Sequence, residues 1–452
     1  MKRAVRGLFA LALINAGCSS AAEPTAGSSA EPAPPSAASP APEAPARERL
    51  TRTIPRTAQT WVTVHTLPLA ECTLEAIDTS LAPEAADPLM LVSDAEGSVH
   101  FQSRATDPRA SSVAMHLDCT DGAGKTASQE IDLVVDDAAT AAPAPAARVS
   151  RVRPALAGDP MSYTREELVA HDLPPRPDPV ASPKSFARWL ELATRPVNVI
   201  EPETVVSSHA RRGVERPAVT PDAIPTQSTN WCGNFISDPS RDYFYVYGTW
   251  NLPHITNQGG FWSTTYSATW LGLGFTQDII QDGIEQNTSS RVWVENSTNY
   301  AVYEWFPADP VTIANFPVSP GDEITAWAWM VDGNNYFSDA GQFADYMLYD
   351  ATTGNLTSYS KYAKPFAQAS TATESADWIV ELPGGTSQLA HFATFTMSDA
   401  WAEGFHNHAL VDFSESGNFD TQPSLVDANG NVMASVTPAG PGAMTFIWNA
   451  YQ

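Results

Sequence analysis

The chain has 452 residues, a formal charge of −26 and a pI near 4.5. A phosphate-binding surface needs clustered Lys and Arg, so nucleic acid is excluded as a partner, and the length requires two or three domains. From Thr226 to Gln452 only Arg241, Arg291, Lys361 and Lys364 stand against twenty-three Asp and Glu. Such a unit repels itself at neutral pH and is relieved as carboxylates protonate, so acidic surroundings are its expected working condition.

Lys2, Arg3 and Arg6 precede the apolar run Leu8 to Ile14, which is too short to span a bilayer permanently. Residues 1–18 therefore read as a signal peptide. Asn15-Ala16-Gly17-Cys18 resembles a bacterial lipoprotein box, with Cys18 as the lipid anchor. The expected location is outside the cell or in a bacterial cell envelope, at the outer surface or in the periplasm, as a monomer. Residues 19–50 are mostly Ala, Pro, Ser and Glu and cannot bury enough surface to fold, so they form a disordered linker.

Across residues 51–137, short alternating runs are separated by turn residues: Trp61–Val64, Leu89–Val92, Val113–Leu117 and Ile131–Val135. They predict a small immunoglobulin-like β-sandwich stapled by Cys72 and Cys119, serving as a spacer or adhesion module. A second linker covers residues 138–150. In residues 151–225, Thr164-Arg165-Glu166-Glu167 has capping-box spacing. Pro183 then opens a second helix with Phe186, Trp189, Leu190 and Ala193 on one face. Eleven Lys and Arg lie between Arg148 and Arg216. Beside so acidic a neighbour they suggest a basic propeptide docked by charge. It would be released as carboxylates protonate and cut near Arg211-Arg212 or before Thr226.

Residues 226–452 hold eleven of the thirteen Trp and show strand periodicity almost throughout. Runs such as Tyr243–Tyr247, Ala301–Phe306, Glu323–Trp329 and Asp345–Tyr349 predict a large antiparallel two-sheet β-sandwich of the concanavalin-like jelly-roll kind. Cys232, with no His or basic neighbour to lower its pKa, reads as a small buried hydrophobe.

The familiar hydrolytic sets are missing from this unit. There is no Gly-x-Ser-x-Gly elbow and no Asp-Thr-Gly or Asp-Ser-Gly. His406 and His408 lack a third ligand nearby, so neither a metal nor another cofactor is expected. What remains is Gln281, Glu304 and Glu381, polar residues set within aromatic strands.

Seven motifs in order carry a resemblance: Ser228–Gly233, Gly248–Pro253, Trp270–Gly272, Ile279–Gly283, Tyr303–Pro307, Val318–Asp322 and Ala376–Glu381. Over about residues 228–400 they are similar to the successive motifs of the glutamic peptidases, the eqolisin family. The resemblance implies a Gln/Glu dyad in the concave cleft of one sheet. Gln281 matches the catalytic glutamine, and Glu381, rather than Asp377, the catalytic glutamate. Trp231, Trp270, Tyr303, Glu304 and Asp377 would contact substrate.

The implied activity is a secreted, acid-acting endopeptidase on protein or peptide substrates. Glu381 would take a proton from water and return it to the leaving amine, while Gln281 stabilises the oxyanion. Two departures stand out. Gly274 occupies a place where the family commonly has Asp, and Asp377 one where Glu is more usual. Two other readings are open: a non-catalytic carbohydrate-binding or adhesion sandwich, and a glycosidase using Glu304 and Glu381.

Overall fold

A computed structural model describes residues 48–77, 87–180, 183–206, 227–237, 241–260, 262–274, 279–291, 293–306, 308–332, 343–362, 375–383, 388–406, 409–412, 423–440 and 442–449. All of these belong to the unit Arg47–Gln452. The proposed signal, lipid anchor and processing sites, together with His408, lie outside the described residues.

Two antiparallel sheets face each other in this unit. The first runs, in lateral order, Thr204–Val206, Val311–Pro317, Val294–Phe306, Ile279–Arg291, Thr264–Leu273, Ser375–Glu381 and Trp231–Ser237. The second is centred on Phe395–His406, Arg241–Asn251, Glu323–Val331 and Phe343–Asp350. Strand alternation points every second residue into the space between the sheets. Leu271, Ile280, Ile284, Trp305 and Trp378 there meet Val246, Trp250, Ala326, Tyr346 and Met397. The buried polar tips find backbone partners: Trp378 Nε1 donates to Tyr247 O at 3.0 Å and the Tyr346 hydroxyl to Glu304 O at 2.9 Å. Cys232 is wholly buried in this core, and burial pushes its thiol up to about 12.

The four alternating runs near the amino terminus are all strands, and Cys72 opposes Cys119 across a ladder and is bonded to it. Three of the runs belong to a five-stranded sheet that forms one layer of a small sandwich. The other layer is not its own. Thr60–His65 pairs with Ser98–Ala105, which pairs onward with the large sheet as Gln102↔Ser297 through Ala105↔Val294. Val294 of the large sheet is accordingly part of the small sandwich's core. Buried Glu295 is held by Arg104 at 2.7 Å across the same seam.

The segment expected to dock by charge is held mainly by apolar burial. Thr164 and Glu167 form the capping box of the helix Arg165–Ala170. Trp189 and Leu192 of the helix Pro183–Ala193 pack on Tyr245, Tyr247, Trp327 and Trp329, on the outer face of the second sheet. Val197–Val199 joins the edge of that sheet and Thr204–Val206 the edge of the first. Among the described residues, Arg188 links the helix to Asp399 at 2.7 Å. So exposed a pair contributes at most about 1 kcal/mol, whereas full burial of one large apolar side chain is worth about 2–3 kcal/mol. Apolar burial therefore outweighs charge at this contact, and the helix covers the face opposite the one that carries Gln281.

Candidate active site

The outward residues of the first sheet are set by the same alternation that fills the core. Ile280, Asp282 and Ile284 point inward, and Gln281, Gly283 and Glu285 outward. Likewise Trp378 is inward between outward Asp377 and Ile379. Register then brings residues from separate strands into lateral rows. One row reads Glu304, Gln281, Gly272, Asp377, Phe235. The next outward row has Trp270 between Gly283 and Ile379, and the one after that reads Tyr300, Glu285, Ala268, Glu381, Trp231.

Gln281 and Asp377 flank a residue without a side chain. A Cβ placed on Gly272 would lie 2.9 Å from Gln281 Cγ and 3.2 Å from Asp377 Oδ1, so both side chains lean over this glycine. Gln281 is fully buried and Asp377 is 3 % exposed. The same Cβ would also meet Ile280 O at 2.8 Å. Gly272→Ala is therefore expected to force the amide and carboxylate apart. It should lower peptide hydrolysis by more than its effect on the melting temperature explains, and a variant with full turnover would show that the two groups do not act together.

Glu381, expected to pair with Gln281, is not its neighbour in the ladder. Glu381 lies four residues along the strands and two strands across, roughly 13 Å by 10 Å at the usual spacings. It instead accepts a hydrogen bond from Asn230 Nδ2 at 2.7 Å. Tyr303 is also misplaced by the sequence reading. Because its neighbour Glu304 faces outward, Tyr303 turns into the core, where its ring stacks on Tyr359 with centroids 4.2 Å apart and burial raises its phenol far above the ordinary value. Trp231, Trp270, Glu304 and Asp377 do share the outward face. Gly274 has φ of 90°, a left-handed conformation that favours glycine over Asp.

Four residues on this face carry no role in the sequence reading: Asn230, Glu285, Asn287 and Tyr300. Glu285 and Asn287 could have been found, since they share the parity of Gln281 along one strand. Asn287 Nδ2 donates to Glu285 Oε1 at 2.6 Å. Burial, the largest cause, holds the Glu285 carboxyl above its usual range, and the charge of Glu381 adds to this. The small sandwich reaches the same face: Val92 packs with Trp231, Trp270, Tyr300 and Ile379, and its N–H donates to the Tyr300 hydroxyl at 3.2 Å. Among the described residues no group of three His, Cys, Asp or Glu side chains is placed to hold a metal.

Residues 229–446 match the Peptidase A4 family. Three solved structures are similar to the chain. Scytalido-glutamic peptidase, crystallised with a transition state analog inhibitor, is 19 % identical, with 49 % of this chain and 99 % of that one covered and a TM-score of 0.37. SCP-B, a member of the eqolisin family in complex with the tripeptide Ala-Ile-His, is 17 % identical, with coverage of 49 % and 99 % and a TM-score of 0.34. Aspergilloglutamic peptidase from Aspergillus niger is 17 % identical, with coverage of 41 % and 99 % and a TM-score of 0.33. No curated protein matches the chain.

Proposed function

We propose that this chain, whose residues 229–446 match the peptidase A4 family, the glutamic peptidases, cuts peptide bonds in acid with Gln281 and Asp377 as its working pair. The observation that carries the pairing is their convergence over Gly272. A carboxylate at 377 takes a proton from the attacking water and passes it to the leaving nitrogen. The Gln281 amide donates to the carbonyl oxygen as charge develops on it, a contribution of roughly 3 kcal/mol for one such donor. Glu304, directly opposite Gln281 in the ladder, is an acceptor positioned to orient that amide. Asp is one methylene shorter than Glu, and the missing Gly272 side chain lets it approach. Gln281 is neutral, so it adds no charge of its own beside the carboxyl.

Export through the amino-terminal signal, with lipid on Cys18, belongs to the same proposal. The glycosidase alternative is disfavoured by spacing. Glu304 and Glu381 are three strands and four residues apart, roughly 20 Å, well beyond the ~5–9.5 Å that such pairs need. Digestion of an unfolded protein by the full chain at about pH 4 tests the assignment. Gln281→Ala should slow it by roughly 10²–10³-fold, and unchanged digestion would remove Gln281 from the mechanism.

A further inference from the structure

The outward face that carries Gln281 is crossed by a strand of the other sandwich. Leu89–Val92 is the edge strand of the five-stranded sheet, and alternation divides its side chains between two cores. Leu89 and Leu91 fill the small sandwich. Val92 instead joins the apolar cluster that includes Trp270, Val302 and Ile379, the row next to Gln281. Backbone groups of the same segment are held by side chains that rise from the first sheet. Val92 N–H donates to the Tyr300 hydroxyl at 3.2 Å, and the Tyr266 hydroxyl donates to Pro88 O at 3.4 Å. Asp87 O accepts from the Thr264 hydroxyl and from the Arg291 guanidinium. Arg291 is itself buried and also donates to Thr264 Oγ1 at 3.0 Å.

Thr264 and Tyr266 stand on the strand Thr264–Leu273, which separates Gln281 from Asp377. The chain from Asp87 to Val92 therefore crosses that strand and reaches Tyr300, two strands away. Counted along the strand, Ala268 lies roughly 13 Å from the Gln281 row and Tyr266 roughly 20 Å. The direction of the substrate follows from the working pair. Water attacks at right angles to the amide plane, and the carbonyl oxygen lies in that plane, pointing away from the chain. Both directions are perpendicular to the chain. A base at Asp377 and a donor at Gln281 therefore set the peptide across the line that joins them, along the strands and over Gly272. One way it passes Gly274, just beyond the end of the strand. The other way it passes Trp270 and Ala268 and meets Pro88.

We propose that Leu89–Val92, with Asp87 and Pro88 before it, closes one end of the substrate cleft, so that a bound peptide extends no more than about four to six residues beyond the cut on that side. The inference rests on hydrolysis at Gln281 and Asp377, and it gives that reaction a substrate class: chain ends, from which short pieces are released, in preference to bonds deep within a chain. A longer chain has to turn out of the cleft at the barrier. The strand does not lift away as a lid would, since Leu89 and Leu91 would leave the core of the small sandwich and the ladder to Ala70–Ala76 would break.

The test gives the full chain a labelled peptide at about pH 4 and lengthens that peptide stepwise at its amino or its carboxyl end. At one end kcat/KM should fall about tenfold once the extension passes roughly six residues, the scale of fixing one further residue in a turn. At the other end it should not fall. A series that is flat or rising at both ends overturns the barrier. Pro88→Gly combined with Val92→Ala, with melting curves as a check on folding, should shrink the penalty. A penalty unchanged in the folded variant overturns the barrier as well, and the wild-type series needs no variant to fold. Fluorescence anisotropy of the same series on full-length Gln281→Ala separates the two proposals. Binding that weakens with length at one end only, without any wild-type cleavage, would sink the peptidase assignment and leave the barrier standing. Cleavage that does not depend on length would do the reverse. Neither binding nor cleavage at any length would sink both.

Discussion

Asp377→Asn is expected to lower kcat/KM on a peptide substrate by roughly 10³-fold at its pH optimum, near the middle of the range for a lost general base. Asp377→Glu restores the carboxylate with one more methylene and is expected to recover part of the loss, since the carboxyl group is kept beside Gln281 across Gly272. Glu381→Gln should cost less than Asp377→Asn if the neighbour of Gln281 across Gly272 is the base. Steady-state kinetics on the three folded proteins ranks them. If Glu381→Gln proves the most damaging, then substrate must bridge the ~16 Å between Gln281 and Glu381, and the assignment of the carboxylate returns to the one suggested by motif alone.

Lowering the pH from 7 to 4 is expected to stabilise the protein. Burial raises the carboxyls of Asp282, Glu285, Glu295 and Asp350, and brings Asp322 and Asp345 up to about 6. For each, the folded state holds its proton more tightly than the unfolded chain. Between the two pKa values the folded form binds more protons, so stability rises as pH falls through the folded value and levels off below the unfolded one. With Asp345 at about 6 against an ordinary 3.8, that single carboxyl contributes on the order of 3 kcal/mol at 1.36 kcal/mol per unit. The window is therefore pH 6 to about 4. Below it the trend reverses, because Asp107, Asp132 and Asp427 are held below their usual range, chiefly by hydrogen bonds from Arg109, Arg49 and Asn431, and folding loses that support as they protonate. Denaturant unfolding at pH 7, 5.5, 4 and 2.5 should show a maximum near 4. A midpoint that falls steadily from pH 7 would contradict this account.

The sandwich was legible in the sequence because strand alternation is a local signal: Ile280, Asp282 and Ile284 against Gln281, Gly283 and Glu285 can be written down without knowing the neighbours. Asp282 broke that pattern, an acid on the core side whose burial keeps its carboxyl well above the usual range. Register is not local. Nothing in Ala376–Glu381 taken alone says which of Asp377 and Glu381 comes beside Gln281, since both have the right parity, and only the pairing of Gly272 with both Gln281 and Asp377 decides it. Tyr303 failed for a related reason: its aromatic ring suits a cleft or a core equally, and the outward Glu304 fixes which. Charge misled for the helix Pro183–Ala193. Net balance ignores that Trp189 and Leu192 point at an aromatic sheet face, while Arg188 lies at its margin.

The pairing of Ser98–Ala105 with Val294–Phe306 bears on where the gene can be cut. The segment that matches the family begins at residue 229, and a clone begun there would look complete by homology. Such a fragment would leave Val294–Ser297 without the partner that Gln102–Ala105 provides. Bare N–H and C=O groups along a strand margin template association with another chain, and Val294 would lose its apolar cover. The boundary of descent and the boundary of folding thus fall in different places: the shortest fragment that keeps this strand margin paired has to carry its amino-terminal sandwich with it.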